Sequence, residues 1–264
     1  MSIYDMSSLL IYCCVMAVLL GAVMGSFLHC MGWRIANDEP FWKGRSHCPK
    51  CGHTLGPGEL IPIFSWVFQK GRCRSCGAPI SVRYPLSELL FAAITLSCLL
   101  KFDLTVLCLR NWIFFCCLFC LSVVDLEIFI IPDGCLIISV LAWLAALPFS
   151  FPGWREVGMS VLAGLLTGGG LLAVSLVMDH ILKKDTMGGG DIKLFAVVGL
   201  YLGMISTLFA LILSCILGLV FVGIQSRVKK SEDGHLPFGP SIAAAAWIMM
   251  MFGSSLTGWY LSLF

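Results

Sequence analysis

The sequence predicts an all-α polytopic membrane protein of about eight transmembrane helices, with a small zinc-stapled cytoplasmic domain between the first and second spans. Three observations lead to this fold class. Of the 264 residues, 59% are hydrophobic and 12% are charged, whereas soluble domains carry about 25% charged residues. Apolar stretches recur along most of the chain. A single long polar segment, which contains paired cysteines, interrupts them.

The eight predicted spans are apolar runs that approach the roughly 20 residues needed to cross a bilayer. The second and sixth runs are short, and we expect them to extend into polar flanks or to stop short of one interface. The runs cover residues 8–30, 86–100, 104–124, 128–147, 157–178, 192–203, 204–224 and 238–261.

Lysine and arginine indicate the orientation of these spans. Fourteen of the 17 basic residues fall in the segments 31–84, 179–193 and 227–230, which lie on one side of the membrane if there are eight spans. The positive-inside rule makes that side cytoplasmic.

The net charge of +2 does not indicate a nucleic-acid partner. We therefore expect the lipid bilayer, and no nucleic acid, as a partner.

Four cysteines in the polar segment have the spacing of a zinc site. They form two CxxC pairs, with 21 residues between the pairs and a glycine after each pair. This spacing is close to that of zinc ribbons, and a bound metal would stabilise a segment too small to fold on its own core. A redox dithiol pair and incidental cysteines are the alternatives. His47 and His53 flank the first pair and are not expected to be ligands. The predicted ligands are Cys48, Cys51, Cys73 and Cys76.

Two aspartates are the candidate catalytic groups. Asp125 follows a long apolar span, and Asp191 opens the sixth span after a run of three glycines. Both fall at the cytoplasmic membrane face in the predicted topology, where they can meet. Two adjacent carboxyl groups share a proton, so one can act as a base while the other donates a proton. Each aspartate alone could instead be a helix cap or a solvated boundary.

The remaining acids of this part of the chain have simpler interpretations. Asp133, in an Ile-Pro-Asp-Gly sequence, is typical of a turn or cap. Glu127 is expected to face the membrane interface. Asp179 and Asp185 lie in a polar loop with two lysines and are expected to be solvated.

Taken in order, these motifs resemble the signatures of the prepilin peptidase family, the membrane aspartic peptidases that process type IV prepilins and pseudopilins. The similarity extends over nearly the whole chain. The segment 45–53 resembles the family's RSxCPxCxH, and 188–194 resembles GxGDxKL. The other matching segments are 25–28, 61–66, 71–76, 79–85 with Glu88, Asp125 with 131–133, and the Phe-Gly-Pro at 238–240.

The resemblance implies that Asp125 and Asp191 are the catalytic pair and that cleavage follows a glycine ending a short basic leader. It also implies N-methylation of the new N-terminal residue from S-adenosylmethionine, since the polar segment accompanies that activity in bifunctional members. The expected domains are a first transmembrane helix at 1–30, a methyltransferase-associated zinc-binding domain at 31–84 and a transmembrane aspartic peptidase domain at 85–264. Gly71, Arg72 and Glu88 are loose candidates for binding S-adenosylmethionine.

The expected location is the bacterial cytoplasmic (inner) membrane, with the active site facing the cytoplasm. His29 stands where the family usually has asparagine, and Arg72 where some members have lysine. Both changes bear on methyl transfer, so a peptidase without that activity is one alternative. A proton- or ion-coupled transporter with an accessory zinc loop is a second, and a redox membrane protein using its CxxC pairs is a third.

Overall fold

In the computed structural model, which describes residues 7–40, 44–184, 187–228 and 237–262, the protein is helical. Apart from one 3₁₀ turn at Pro57–Glu59 and two isolated β-bridges, the described residues form only α-helices, loops and turns. This confirms the predicted fold class. The helices are α1 (Ser7–Ala36), α2 (Phe64–Phe68), α3 (Arg83–Phe102), α4 (Val106–Ile128), α5 (Asp133–Ala146), α6 (Trp154–Leu182), α7 (Gly189–Leu202), α8 (Met204–Val228) and α9 (Gly239–Leu261).

The predicted count of eight spans is not confirmed. Among the described residues, six helices are long and apolar enough to cross a membrane, namely α1, α3, α4, α6, α8 and α9. Helices α5 and α7 have 14 residues each, which gives a length of about 21 Å against a hydrocarbon core of about 30 Å. The fourth predicted span began too early, because Phe129 takes a positive φ of 56° and Pro132 caps α5.

The chain divides into two compact units, Met1–Cys108 and Leu109–Phe264. In the first unit, α1 packs closely on α3 at two glycines. A Cβ atom at Gly21 would lie 2.6 Å from the Cα of Ala92, and one at Gly25 would lie 2.8 Å from the carbonyl oxygen of Ser87. Small residues permit this close approach of membrane helices. The polar segment with the cysteines joins these two helices.

In the second unit, α7 is the central helix. It packs against α5, α6, α8 and α9, and Leu194, Phe195 and Val198 on it are at most 1% exposed. Its contact with α6 is made at glycines, because a Cβ atom at Gly199 would lie 2.7 Å from the Cα of Gly164. The first turn of this central helix carries Asp191.

Candidate active site and metal centre

Asp125 lies in the last turn of α4, at the end of the buried stretch of that helix. Its side chain is buried, with the residue 5% exposed, and the neighbouring Leu121 and Val124 are each 1% exposed. One carboxylate oxygen, Oδ2, accepts a hydrogen bond of 2.8 Å from the backbone N–H of Gly239 at the start of α9. A buried carboxylate needs such a donor, because burial without one costs several kcal/mol.

Gly239 has no room for a side chain. A Cβ atom there would lie 2.9 Å from Oδ2 of Asp125. The preceding residue, Phe238, packs on Gly218 of α8, where an added Cβ would lie 2.9 Å from its ring. The Phe-Gly-Pro sequence therefore fixes the first turn of α9 against Asp125. The sequence showed this motif at 238–240, but its chemical role depends on a contact across 114 positions.

Asp191 lies in the first turn of α7, which begins after Gly188. It is half-buried, and the charge of Asp125 acts on it. The second unit therefore brings together the two aspartates that the sequence singled out.

Gly190 determines how closely the loop after α4 approaches Asp191. A Cβ atom at Gly190 would lie 2.9 Å from the Cβ of Ile131. By contrast, an added Cβ at Gly189 would meet nothing within 4 Å. Only one of these two glycines is therefore required by the packing, and the other leaves open space beside the aspartates.

An ion pair joins the starts of α5 and α7. Lys193 Nζ lies 2.8 Å and 3.1 Å from the two carboxylate oxygens of Asp133. Asp133 lies in the first turn of α5, one position after the cap residue Pro132, and the sequence did not indicate its partner. The side chains are 59% and 62% exposed, so the pair contributes about 0–1 kcal/mol. The C-terminal end of α4 and the N-terminal ends of α5, α7 and α9 thus meet at one face of the unit.

The four predicted zinc ligands form one cluster in the polar segment. The Sγ atoms of Cys48, Cys51, Cys73 and Cys76 all lie within 4.8 Å of one another. The sulfur atoms of Cys48 and Cys76 are 3.9 Å apart, and those of Cys51 and Cys73 are 4.0 Å apart. Tetrahedral zinc with Zn–S bonds of about 2.3 Å requires sulfur separations of about 3.8 Å. The cluster therefore fits a structural zinc ion.

The two CxxC pairs have the same local fold. Each first cysteine donates its N–H across the turn, from Cys48 to the His53 carbonyl and from Cys73 to the Ala78 carbonyl. Gly52 and Gly77 follow the pairs with the same positive φ of 71°, which glycine adopts without strain. Backbone N–H groups of Cys51 and Lys50 point at the Cys48 thiol and lower its pKa to about 6. The backbone of His53 acts on the Cys51 thiol in the same direction, but burial and the neighbouring thiols outweigh it and raise the pKa of Cys51 to about 11. Donors directed at a sulfur atom favour the thiolate that binds zinc.

The flanking histidines lie outside the cluster of sulfur atoms. His53 Nε2 lies 3.1 Å from Oε2 of Glu59, which also accepts a 2.9 Å hydrogen bond from the Gly56 N–H. The Gly56 N–H and His53 hold the pKa of the Glu59 carboxyl below its usual range. His47 contacts the carbonyl oxygen of Arg45.

The loose candidates for S-adenosylmethionine have contacts within the first unit. Glu88, 7% exposed on α3, accepts a 2.6 Å hydrogen bond from the N–H of Ile63. Gly71 packs under the Trp66 ring, where an added Cβ would lie 2.9 Å from it. Arg72 is exposed. These contacts give Gly71 and Glu88 structural roles, and their part in binding S-adenosylmethionine stays a prediction.

Other residues named from the sequence have ordinary surroundings or lie outside the described part of the chain. His29 packs on the Tyr84 ring, with centroids 4.7 Å apart. Asp179 accepts a 3.4 Å hydrogen bond from Ser175, and Glu127 is exposed. Asp185 and the basic residues Lys43, Lys229 and Lys230 fall outside the described residues.

Two models of known protein families match this chain, one in its N-terminal part and one in its C-terminal part. Residues 19–102 match the bacterial peptidase A24 N-terminal domain, and residues 112–223 match the type IV leader peptidase family. No solved structure matches the chain.

Curated relatives cover most of the chain. A prepilin leader peptidase/N-methyltransferase of Bacillus subtilis is 34% identical over 92% of this chain and 96% of its own length. An Aeromonas salmonicida protein of the same name is 35% identical over 83% of this chain and 75% of its own. Another from Pseudomonas aeruginosa is 29% identical over 92% of both chains. This multi-pass membrane protein therefore belongs to the type IV leader peptidase family.

Proposed function

We propose that this protein cleaves the basic leader peptide from type IV prepilins or pseudopilins, with Asp125 and Asp191 as the catalytic pair. The observation that supports the proposal is that the end of α4 and the first turn of α7, which carry these two aspartates, lie near enough for the two charges to interact. The names of the relatives supply the substrate class. The proposed site of cleavage is the cytoplasmic face of the bacterial inner membrane.

The surroundings of the two carboxyl groups suggest different roles for them. A hydrogen bond from a backbone N–H favours the ionised form of a carboxyl group, and Asp125 accepts one from Gly239 at the N-terminal end of a helix. The helix dipole acts in the same direction. We therefore assign Asp125 as the ionised base and Asp191 as the protonated acid in the resting enzyme.

In the proposed reaction, Asp125 takes a proton from a water molecule. At the same time, the oxygen of that water molecule attacks the carbonyl carbon of the scissile bond. Asp191 donates its proton to the carbonyl oxygen, which gives a tetrahedral intermediate. The intermediate collapses when the C–N bond breaks, the leaving nitrogen gains the proton held by Asp125, and one hydroxyl group of the intermediate returns a proton to Asp191 as the carboxyl product forms. General acid–base catalysis of this kind contributes about 10²–10⁴-fold to a rate.

The space near the aspartates suits an extended substrate that continues into the membrane. An added Cβ at Gly189 would meet nothing within 4 Å, so a backbone can approach Asp191 closely there. A shallow, mostly apolar groove between α5 and α7 begins at the Asp133–Lys193 pair and includes Leu136, Val140 and Val197. We propose that the apolar helix of the prepilin lies along this groove while its leader end unwinds at the aspartates.

The second proposed activity is N-methylation of the newly exposed N-terminal residue, with S-adenosylmethionine as the methyl donor. The names of the relatives combine both activities, and the match over 19–102 includes the polar segment with the four cysteines. Zinc held by Cys48, Cys51, Cys73 and Cys76 would stabilise this segment.

Co-expression of a prepilin with the wild type, Asp125→Asn or Asp191→Asn tests the peptidase assignment. Asparagine keeps the shape of the side chain and removes its proton chemistry, so both variants should accumulate the uncleaved precursor. Asp133→Asn is the matched control and should still cleave, because its carboxylate is exposed and paired with Lys193. Normal processing by either dyad variant would refute the assignment. Mass spectrometry of the cleaved product tests methylation separately.

A further inference from the structure

An exposed apolar patch lies in the otherwise polar cysteine-containing segment. It comprises five large side chains within nine residues, on the turn before α2 and on α2 itself. Phe68 is the most exposed, at 78%. Contiguous exposed apolar groups of this kind mark interaction sites. The apolar patch consists of Leu60, Ile61, Phe64, Val67 and Phe68.

The patch is exposed because α2 is already fixed on its other side. Trp66 points inward, where its indole N–H donates a 3.1 Å hydrogen bond to the carbonyl of Ile80 and its ring covers Gly71. Phe64, Val67 and Phe68 are left on the outer side of this short helix. The amphipathic arrangement therefore presents a fixed apolar face.

A partly buried hydrogen bond holds the patch near the start of a helix long enough to span a membrane. The N–H of Ile63, within the patch segment, donates to Oε2 of Glu88 at 2.6 Å. Glu88 is the sixth residue of α3, one of the six helices long and apolar enough to span a bilayer. At 1.5 Å per residue it lies only about 8 Å from the first residue of that helix. The patch is thus tied to the level of the membrane interface.

The residues on the two sides of the patch suit the apolar acyl-chain layer and the charged headgroup layer of a membrane. On α3, Leu86, Leu89 and Leu90 are exposed, as expected of side chains that face acyl chains. On the other side, Lys70 follows Phe68 after one residue and is also exposed. Exposed apolar side chains followed by a basic one are typical of segments that lie in the plane of an anionic membrane surface.

From this geometry we infer that the apolar patch inserts into the lipid headgroup region, so that the cysteine-containing segment lies on the membrane surface rather than projecting from it. The partner is the bilayer, with Phe64 and Phe68 at the level of the upper acyl chains and Lys70 among anionic headgroups. This inference does not depend on which reaction the protein catalyses.

Depth-dependent fluorescence quenching tests the inference on the full-length protein. An environment-sensitive fluorescent amino acid is placed at position 68, at position 89 as a lipid-facing reference, or at the exposed position 54 as a control on the cysteine-containing segment. The proteins are reconstituted in vesicles of phosphatidylethanolamine and phosphatidylglycerol whose acyl chains carry bromine near the headgroup. We expect quenching at position 68 to reach at least half of that at position 89. Quenching at position 54 should be several-fold weaker.

Quenching at position 68 as weak as at position 54 would overturn the inference. Quenching at position 68 that falls when prepilin is added would assign the patch to the substrate instead. A third outcome is weak quenching together with a blue-shifted emission. If the blue shift disappears as the protein is diluted in lipid, the patch contacts a second copy of the chain instead. Omitting phosphatidylglycerol, or introducing Lys70→Gln, should reduce quenching at position 68, and no change would overturn the role of the basic residue. Bound zinc and prepilin cleavage, measured on each sample, show that the labelled protein is folded.

Discussion

The cysteine cluster and the pair of aspartates are built in opposite ways. Each half of the cysteine cluster comes from one short turn, and the second turn repeats the hydrogen bonds of the first. The aspartates come from helices 66 positions apart in the chain, and the N–H that holds Asp125 comes from a third helix. The cysteine cluster therefore depends on local turn geometry, whereas the pair of aspartates depends on how the helix ends pack.

Gly239→Ala should have the largest effect among substitutions that keep both aspartates. The added methyl group would lie 2.9 Å from Oδ2 of Asp125, so the carboxylate or the first turn of α9 must move. A displacement of about 1 Å in an active site costs about 10²-fold in rate. Steady-state cleavage of a purified prepilin in lipid vesicles measures this loss.

Gly258→Ala is the control for this substitution because it lies on the same helix, where an added Cβ meets nothing within 4 Å. It should retain the wild-type rate. Equal losses for the two variants would show that a methyl group added at either glycine of α9 disturbs cleavage and would remove the special role of Gly239.

Gly190→Ala should reduce cleavage by about tenfold, because the methyl group overpacks against Ile131 and overpacking costs about 1–3 kcal/mol. Adding Ile131→Gly, which removes the Cβ that the methyl group would meet, should restore part of the rate. Gly169→Ala, on α6, is the control, since an added Cβ there meets no atom within 4 Å. Failure of Ile131→Gly to rescue the rate would show that Gly190 acts through something other than this contact.

Cys48→Ser should change the metal content of the protein and its methyl transfer more than its peptide cleavage. A missing thiolate weakens tetrahedral zinc binding strongly, so the zinc content should fall well below about one ion per chain. The exposed Cys215 provides a matched control, because Cys215→Ser leaves the cluster intact. Elemental analysis and mass spectrometry of the processed pilin measure the two effects. Full zinc content in Cys48→Ser would exclude this cysteine as a ligand.

The exposed Asp133–Lys193 pair should show the smallest effect. Lys193→Gln removes an interaction of about 0–1 kcal/mol, so cleavage should fall by less than about fivefold. A double-mutant cycle with Asp133→Asn isolates the pair, and its coupling should weaken with added salt. A coupling near the loss caused by Gly239→Ala would place this pair in the catalytic machinery.

Hydropathy and the CxxC spacing were sufficient to predict the helical class and the cysteine cluster, because both depend on residues close together in the sequence. Hydropathy could not set the start of the fourth predicted span, which corresponds to α5. The apolar run continues through Phe129 and Ile130, and only the positive φ of Phe129 and the cap at Pro132 show that the helix is interrupted. The two short helices, α5 and α7, also look like spans in an apolar sequence.

The candidate site was predicted only in part for a similar reason. Counting basic residues placed Asp125 and Asp191 on one side of the membrane, but their approach depends on the packing of α4, α7 and α9. The contacts of Gly239 with Asp125 and of Gly190 with Ile131 leave no periodic pattern in the sequence. Glu88 was noted for its position in a motif, and its bond to the Ile63 N–H follows only from the folded turn before α2.

The most direct test of the central claim is a double-mutant cycle on the two aspartates, measured as kcat/KM for prepilin cleavage by purified protein in lipid vesicles. If Asp125 and Asp191 act on one water molecule and one peptide bond, either asparagine substitution should lower the rate by about 10³-fold, and the double variant should lose little more. A single variant that keeps the wild-type rate, or losses that multiply in the double variant, would contradict the account.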